Sequence, residues 1–318
     1  MPALLLVGFI RPEFTIKHLK QLVENRDNFE AIYLYVDGPR KNVDSDIQNQ
    51  RKIREYLLHI ESEILIEPCF RTENLGLSKN IKDAISVILE KHEAVVVLED
   101  DVEISGSTLV NIKMQIEAVT ESGLSNPVIG MSGLTKKRLV LRWINNEWRS
   151  SRYFSAWGYG VNRYFWTQHL NYLTERSLTA SISADSTFLV EFSNRKREIW
   201  KERFNREIYD YEIQETMFAR GITSFAPRFR IVGNLGHGTN STHTRFPPPR
   251  YLHGPMCNDL LTVNLRVPHR YSLEMGIFNF IDSKTFAGDS LFNVRGRTRG
   301  IRSSTHLVLR MLLKKFRL

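Results

Sequence analysis

The stretch Ala94-Val95-Val96-Val97-Leu98-Glu99-Asp100-Asp101 decides the fold. Five apolar residues run without a break into three acids. A short continuous apolar run rich in valine marks a strand covered on both faces, as in a parallel sheet with helices on each side. The three carboxylates then stand at the carboxyl end of that strand, where open α/β sheets bind ligands. Side by side they repel one another, so the arrangement calls for a divalent cation, and hard oxygen donors suit Mg²⁺ or Mn²⁺. Taken alone, the triplet also reads as a solvated acidic turn.

Outward from this point the first half alternates strand and helix. The pattern predicts strands over 3–10, 31–36, 63–67, 94–98 and 128–132, with helices over 12–25, 46–60, 78–91 and 108–120 between them. Such a rhythm implies an α/β fold with a largely parallel sheet. The second half loses it and becomes richer in aromatic residues, among them Trp143, Trp148, Tyr153, Phe154, Trp157, Tyr159, Tyr164, Phe165 and Trp166. It is therefore expected to be an irregular region beside the sheet. The sequence divides into residues 1–135, 136–245 and a C-terminal extension over 246–318 that opens on a proline run and ends in a basic helix.

Composition limits the function classes. With 318 residues, 42% hydrophobic and 25% charged, the chain is an ordinary globular protein with ample core. The net charge of +9 suggests nucleic acid until it is located. Eight basic residues and no acid lie in 290–318, so the body is near neutral and nucleic acid is not an expected partner of it. Cys69 and Cys257 form no metal-ligand spacing. The apolar run at 3–10 is short and lacks a preceding basic residue, so it reads as a strand and not as a leader. A cytoplasmic location is expected, with attachment to the inner face of the membrane as an extension of it.

The polar residues at the strand ends form one constellation. Arg11 follows the first strand, Asp37 the second, Arg71 and Asn74 the third, and Glu99, Asp100 and Asp101 the fourth. Singly, each suits a surface or turn role. Jointly they supply what a nucleoside-diphosphate ligand needs, because its charge has to be neutralised by cations.

These residues resemble the glycosyltransferases of the GT-A, nucleotide-diphospho-sugar fold, in the family 2-like group of bacterial inverting enzymes, over roughly residues 2–245. The resemblance is carried by Gly8-Phe9-Ile10-Arg11-Pro12, Tyr35-Val36-Asp37-Gly38, the run from Phe70 through Asn74-Leu75-Gly76 to Asn80, and Val97-Leu98-Glu99-Asp100-Asp101. The last is also similar to the Glu-Asp-Asp of the animal N-acetylglucosaminyltransferase that starts complex N-glycans. The resemblance implies a single Rossmann-like domain and a nucleotide-sugar donor. It places Asp37 at the base, Arg11, Arg71 and Asn74 on the donor, Asp100 at ribose or metal, and Asp101 as the direct ligand of the Mn²⁺ or Mg²⁺, with Glu99 as a second metal ligand.

Further motifs extend the resemblance. Phe154-Ser155-Ala156-Trp157-Gly158-Tyr159-Gly160 looks like the tryptophan-glycine segment lining the acceptor side, where Trp157 offers a flat apolar face and Gly158 a close backbone approach. Tyr209-Asp210-Tyr211-Glu212 resembles the helix start that carries the general base, giving the order Asp210, Glu212, then Asp185. Residues 232–244 resemble a closing loop, with His243 as a further metal ligand. The Gln-x-x-Arg-Trp motif of processive synthases is absent, which favours single addition of a hexosyl or N-acetylhexosaminyl group to a saccharide or lipid-linked hydroxyl, as in bacterial surface polysaccharide synthesis.

Two other function classes share parts of this pattern. A metal-dependent nucleotidyltransferase also wants acids at a sheet edge, but it needs a glycine-rich phosphate loop that Phe9-Ile10-Arg11-Pro12 does not supply. A non-catalytic protein binding a nucleotide-sugar or an anionic polymer is the other. The tail over 304–318 reads as an amphipathic basic helix, suited either to an anionic membrane surface or to packing on the domain or on a second copy in a homodimer.

Overall fold

The computed structural model describes residues 1–60, 64–131, 147–179, 207–236 and 256–267. Within them the chain runs β1 (Ala3–Gly8), α1 (Pro12–Asn25), β2 (Ile32–Val36), α2 (Asp44–Ile60), β3 (Glu67–Phe70), α3 (Leu77–Lys91), β4 (Ala94–Glu99), β5 (Val102–Glu103) and α4 (Gly106–Glu121). It continues through β6 (Val128–Ile129), β7 (Trp148–Ser151), β8 (Tyr159–Asn162), α5 (Arg163–Thr179), α6 (Tyr209–Arg220), β9 (Ser224–Pro227) and β10 (Gly233–Asn234).

Eight strands form one sheet in the order β3-β2-β1-β4-β8-β6-β9-β7. The β3-β2-β1-β4 half is parallel throughout, with Val7 level with Tyr35 on one side and Glu99 on the other. This is the α/β, Rossmann-like architecture that the resemblance implied. β8 then runs antiparallel to β4 and β6, and β7 antiparallel to β9. Among the described residues beyond 136, β7, β8 and β9 belong to the same sheet. Their short aromatic-rich segments fall below the length at which alternation can be read.

The side-chain period of two sorts the core. Leu4, Leu6, Leu34, Val36, Val96 and Leu98 pack on one face against Leu19 and Leu22 of α1, Ile53 of α2 and Ile112 and Ile116 of α4. Leu5, Val7, Tyr35, Val95 and Val97 pack on the other against Ile81, Ile85 and Ile88 of α3, Phe165 of α5 and Tyr209, Ile213 and Met217 of α6. Both faces of β4 are covered, which is why its sequence is apolar without alternation.

One strand differs from the expectation. The third falls at Glu67–Phe70, not at 63–67, and pairs Cys69 with Tyr35 and Phe70 with Val36. Pro68 masked it, because proline lacks the donor a central strand needs; β3 is an edge strand and tolerates it. A second small sheet pairs β5 with β10.

Candidate active site

The parallel half brings the ends of β1, β2, β3 and β4 to one edge, so Arg11, Asp37, Arg71, Asp100 and Asp101 lie along it in the order the ladder dictates. They separate into two groups. On the β2–β3 side, Asp37 is buried and its carboxylate is taken by backbone donors: Oδ1 accepts from the N–H of Gly38 at 2.9 Å and of Leu75 at 2.8 Å, and Oδ2 from Gly76 at 2.9 Å. Asn74 Nδ2 donates back to the Gly38 carbonyl at 2.8 Å. Asp37 and Asn74 therefore clasp the end of β2 to the turn that starts α3. Arg71 donates to Asn80 Oδ1 at 3.2 Å, pairs with Asp83 and lies 5.1 Å over the Tyr35 ring.

The β1–β4 side is electrostatically richer. Arg11 precedes α1, whose Pro12 occupies the first turn, and its guanidinium is not spent on capping. It pairs with Asp100 and donates to Asp101 Oδ2 at 3.1 Å. The acid cluster thus carries its own counter-ion. Burial opposes the charge on Arg11, but Asp100 and Asp101 outweigh it and raise its pKa. Asp100 is buried, and its Oδ2 has no hydrogen-bond partner of normal geometry. Burial, opposed by Arg11 and aided by Asp101, pushes its carboxyl up to about 7.

Glu99 leaves the strand on the opposite face from Asp100, as the pleat requires. Its Oε1 accepts from the hydroxyl of Tyr209 at 2.6 Å. Burial, then the charges of Asp101, Asp210 and Asp100, carry it up to about 8, against the bond from Tyr209. The Tyr209 phenol is raised well above its usual value by burial and by Glu99.

Asp101 lies under the strand that opens the expected closing loop. Its carbonyl accepts from Leu235 N at 2.7 Å, and its carboxylate stands so close to Gly236 that a Cβ there would collide with Oδ2. His243, Asp185 and residues 304–318 lie outside the described residues.

Across the edge, α6 presents Asp210 and Glu212 in its first turn. Asp210 stands near enough to Glu99 for their charges to interact. Glu212 is buried and accepts from Lys82 Nζ of α3 at 2.8 Å. A carboxylate held in that pair is poorly free to take a proton, which weighs against Glu212 as the proton acceptor. Trp157 is half-buried against the core. Gly158 sits at φ 64°, with Val232 Cγ1 3.0 Å from where a Cβ would be, so glycine is required there for backbone conformation and for packing.

Sequence reasoning missed three residues of this site. Tyr209 anchors Glu99; its signal was its place beside Asp210 in the same motif. Lys82 neutralises Glu212 from a helix face that read as ordinary. His18 of α1 is buried, with its pKa lowered to about 4 by burial and by Lys17, and its ring lies against the backbone of Asp100 and Val102.

The cation implied by the sequence can be tested against these residues. Among the described residues no group of three or more histidine, cysteine and carboxylate side chains converges to hold a metal. An all-protein cage is thus not what they offer. Mg²⁺-type sites commonly use one or two carboxylates and complete the shell with water and substrate phosphates. Asp101, partly exposed at the edge, and the unpartnered Asp100 Oδ2 fit a site of that kind.

No protein-family model matches the chain, and no curated protein does. Among solved structures, it is similar to a crystal structure of GalNAc-T7 with UDP, GalNAc and Mn²⁺, at 11% identity and a TM-score of 0.46, over 79% of this chain and 46% of that one. The chain thus spans about half the length of that protein. Among the described residues no helix is long and apolar enough to cross a membrane.

Proposed function

We propose that the protein is an inverting glycosyltransferase, moving a sugar from a nucleoside-diphosphate sugar to a hydroxyl of a saccharide or lipid-linked acceptor. The observation that carries this reading is the meeting at one sheet edge of a cation–carboxylate group, Arg11 with Asp100 and Asp101, and a separate carboxylate, Asp210, on a helix facing it. The first suits a diphosphate and the second a proton acceptor, and a single displacement needs both.

In this reading residues 1–135 hold the donor and 136–245 the acceptor, the two sharing one sheet. Arg11, freed from Asp101 when the donor enters, meets the diphosphate, and Asp37, Asn74 and Arg71 shape the wall where the nucleoside lies. Asp101, backed by Asp100 and with His243 as a further donor in the sequence, holds Mn²⁺ or Mg²⁺, which when bound offsets charge on the leaving diphosphate. Asp210 takes the proton of the acceptor hydroxyl, and Trp157 and Gly158 border the acceptor. The basic segment 304–318 would hold the protein at an anionic membrane surface, next to a lipid-linked acceptor; flotation with anionic vesicles tests that part separately.

The test of the whole is turnover of UDP-, GDP- and dTDP-linked sugars by purified protein, with Mn²⁺ and with EDTA. One donor should be consumed, and only with metal. Consumption of none would overturn the reading.

A further inference from the structure

The first two turns of α6 are bonded to three other parts of the molecule around the site. The Tyr209 hydroxyl donates to Glu99 Oε1 at 2.6 Å, at the end of the acid-bearing strand. The Tyr209 backbone N–H donates to Ser78 Oγ of α3 at 3.1 Å, and Glu212 receives Lys82 of the same helix. Gln214 accepts from Phe154 N at 2.7 Å and donates to the Arg152 carbonyl at 2.9 Å, which holds the segment leading into Trp157-Gly158. A single helix start is therefore bonded to the donor edge, to α3 and to the acceptor segment, and Asp210 lies one residue beyond Tyr209.

Of these bonds only the one from Tyr209 reaches the acid strand. Glu99 projects with Val97 onto the face that α6 covers, while Asp100 turns to Arg11. The Tyr209 ring is buried in that face beside Ile213 and Met217, so its hydroxyl has one fixed direction. Tyrosine hydroxyls in such places normally find a partner, and here the partner is a carboxylate two residues before Asp101.

We infer that Tyr209 is a positioning residue: its hydroxyl, anchored on Glu99, sets where the Asp210-bearing end of α6 stands relative to the acid edge. Glu99 then serves as that anchor, and the cation is left to the acids beyond it. The inference rests on the transfer reading for the role of Asp210, and it adds the two residues that set its distance. Misplacement of a reacting group by a fraction of an ångström slows chemistry without weakening the binding of a ligand held elsewhere.

The test uses the full chain and whichever of the UDP-, GDP- and dTDP-linked sugars the wild type consumes. Tyr209→Phe should lower kcat on the order of tenfold or more, with donor KM and Mn²⁺ affinity within about twofold of wild type. Glu99→Gln still offers Tyr209 an oxygen, whereas Glu99→Leu does not; kcat in the glutamine variant should stand well above that in the leucine variant, and titration with Mn²⁺ should find its affinity kept. Melting curves confirm that each variant is folded, and the glutamine variant, nearly the same shape as wild type, serves if the leucine one is not. A wild-type kcat in Tyr209→Phe, or loss of Mn²⁺ affinity in Glu99→Gln, overturns the inference. A wild type that consumes no sugar nucleotide overturns the transfer reading instead, so the two failures are told apart.

Discussion

Replacing Arg11 by methionine should destabilise the protein, and more at high pH than at low. Arg11 is the cation that Asp100 and Asp101 share. Even with it in place, burial carries the Asp100 carboxyl from 3.8 to about 7. A group whose pKa is higher in the folded state holds its proton there more readily than in the unfolded chain. Its contribution to stability is present below about pH 4 and is lost as pH rises through 7. A displacement of that size corresponds to roughly 4 kcal/mol, and Glu99, carried to about 8, acts in the same direction. Without the guanidinium, the ionised form of Asp100 loses its partner and its pKa rises further. At pH 5 Asp100 is largely protonated in both proteins, and the variant should lose only hydrogen bonds and packing, about 1 kcal/mol. At pH 8 the wild type ionises against Arg11 and the variant cannot, so the cost should approach the ~3 kcal/mol of breaking a buried pair from one side. In EDTA the melting-temperature gap should widen from about 3 °C at pH 5 to about 9 °C at pH 8. A gap constant across that range would refute the assignment of Arg11 as their counter-ion.

Further outcomes follow from the same geometry. Asp101→Ala should keep a melting temperature near wild type and lose metal-dependent turnover, because its side chain is partly exposed at the edge and Arg11, which it shares, keeps Asp100 as a partner; full turnover in the variant would refute its part in holding the cation. Asp210→Asn should bind nucleotide as wild type does, by calorimetry, while turnover falls on the order of 10²-fold or more; a rate above a tenth of wild type would move the base elsewhere. Lys82→Met should cost about 3 kcal/mol in urea unfolding at pH 7, since it strands the buried Glu212, and an unchanged midpoint would show that the pair is idle. The buried imidazoles act in the opposite sense to Asp100. His18 and His169, lowered to about 4 and about 3 by burial, with Lys17 and Lys82 adding in turn, stay neutral in the folded state. Stability should therefore fall as pH drops below about 6.5, by about 1.4 kcal/mol per pH unit for each, and His169→Gln, if folded, should flatten that limb of a urea series.

The parallel half was legible because its strands are long, doubly buried and spaced by helices whose apolar faces repeat at helical period. The helix bounds at Pro12–Asn25 and Leu77–Lys91 fell within a residue of expectation. The third strand was displaced because Pro68 argues against strand everywhere except at an edge, and edge position is a property of the finished sheet. β7, β8 and β9 each have four residues, too few to show a period, and their partners come from distant parts of the chain. At the site, the residue types and the edge they share could be read from sequence, because strand ends fix position. What each touches could not. Asp37 reads as a ligand contact and is engaged by three backbone donors; Glu99 and Asp100 read as one cluster, and the pleat sends them to opposite faces. Tyr209 and Lys82 gave no signal of their own, since a bond across two elements leaves no spacing to detect.

The central claim is that the acids at the end of β4 bind a nucleoside diphosphate together with a divalent cation. Calorimetric titration of UDP, GDP and dTDP into wild type and Asp101→Ala, with Mn²⁺ and with EDTA, tests it most directly. The account predicts that one nucleotide binds the wild type with Mn²⁺, and that this binding is lost in EDTA and in Asp101→Ala. Equal binding under all these conditions, or none under any, would contradict it.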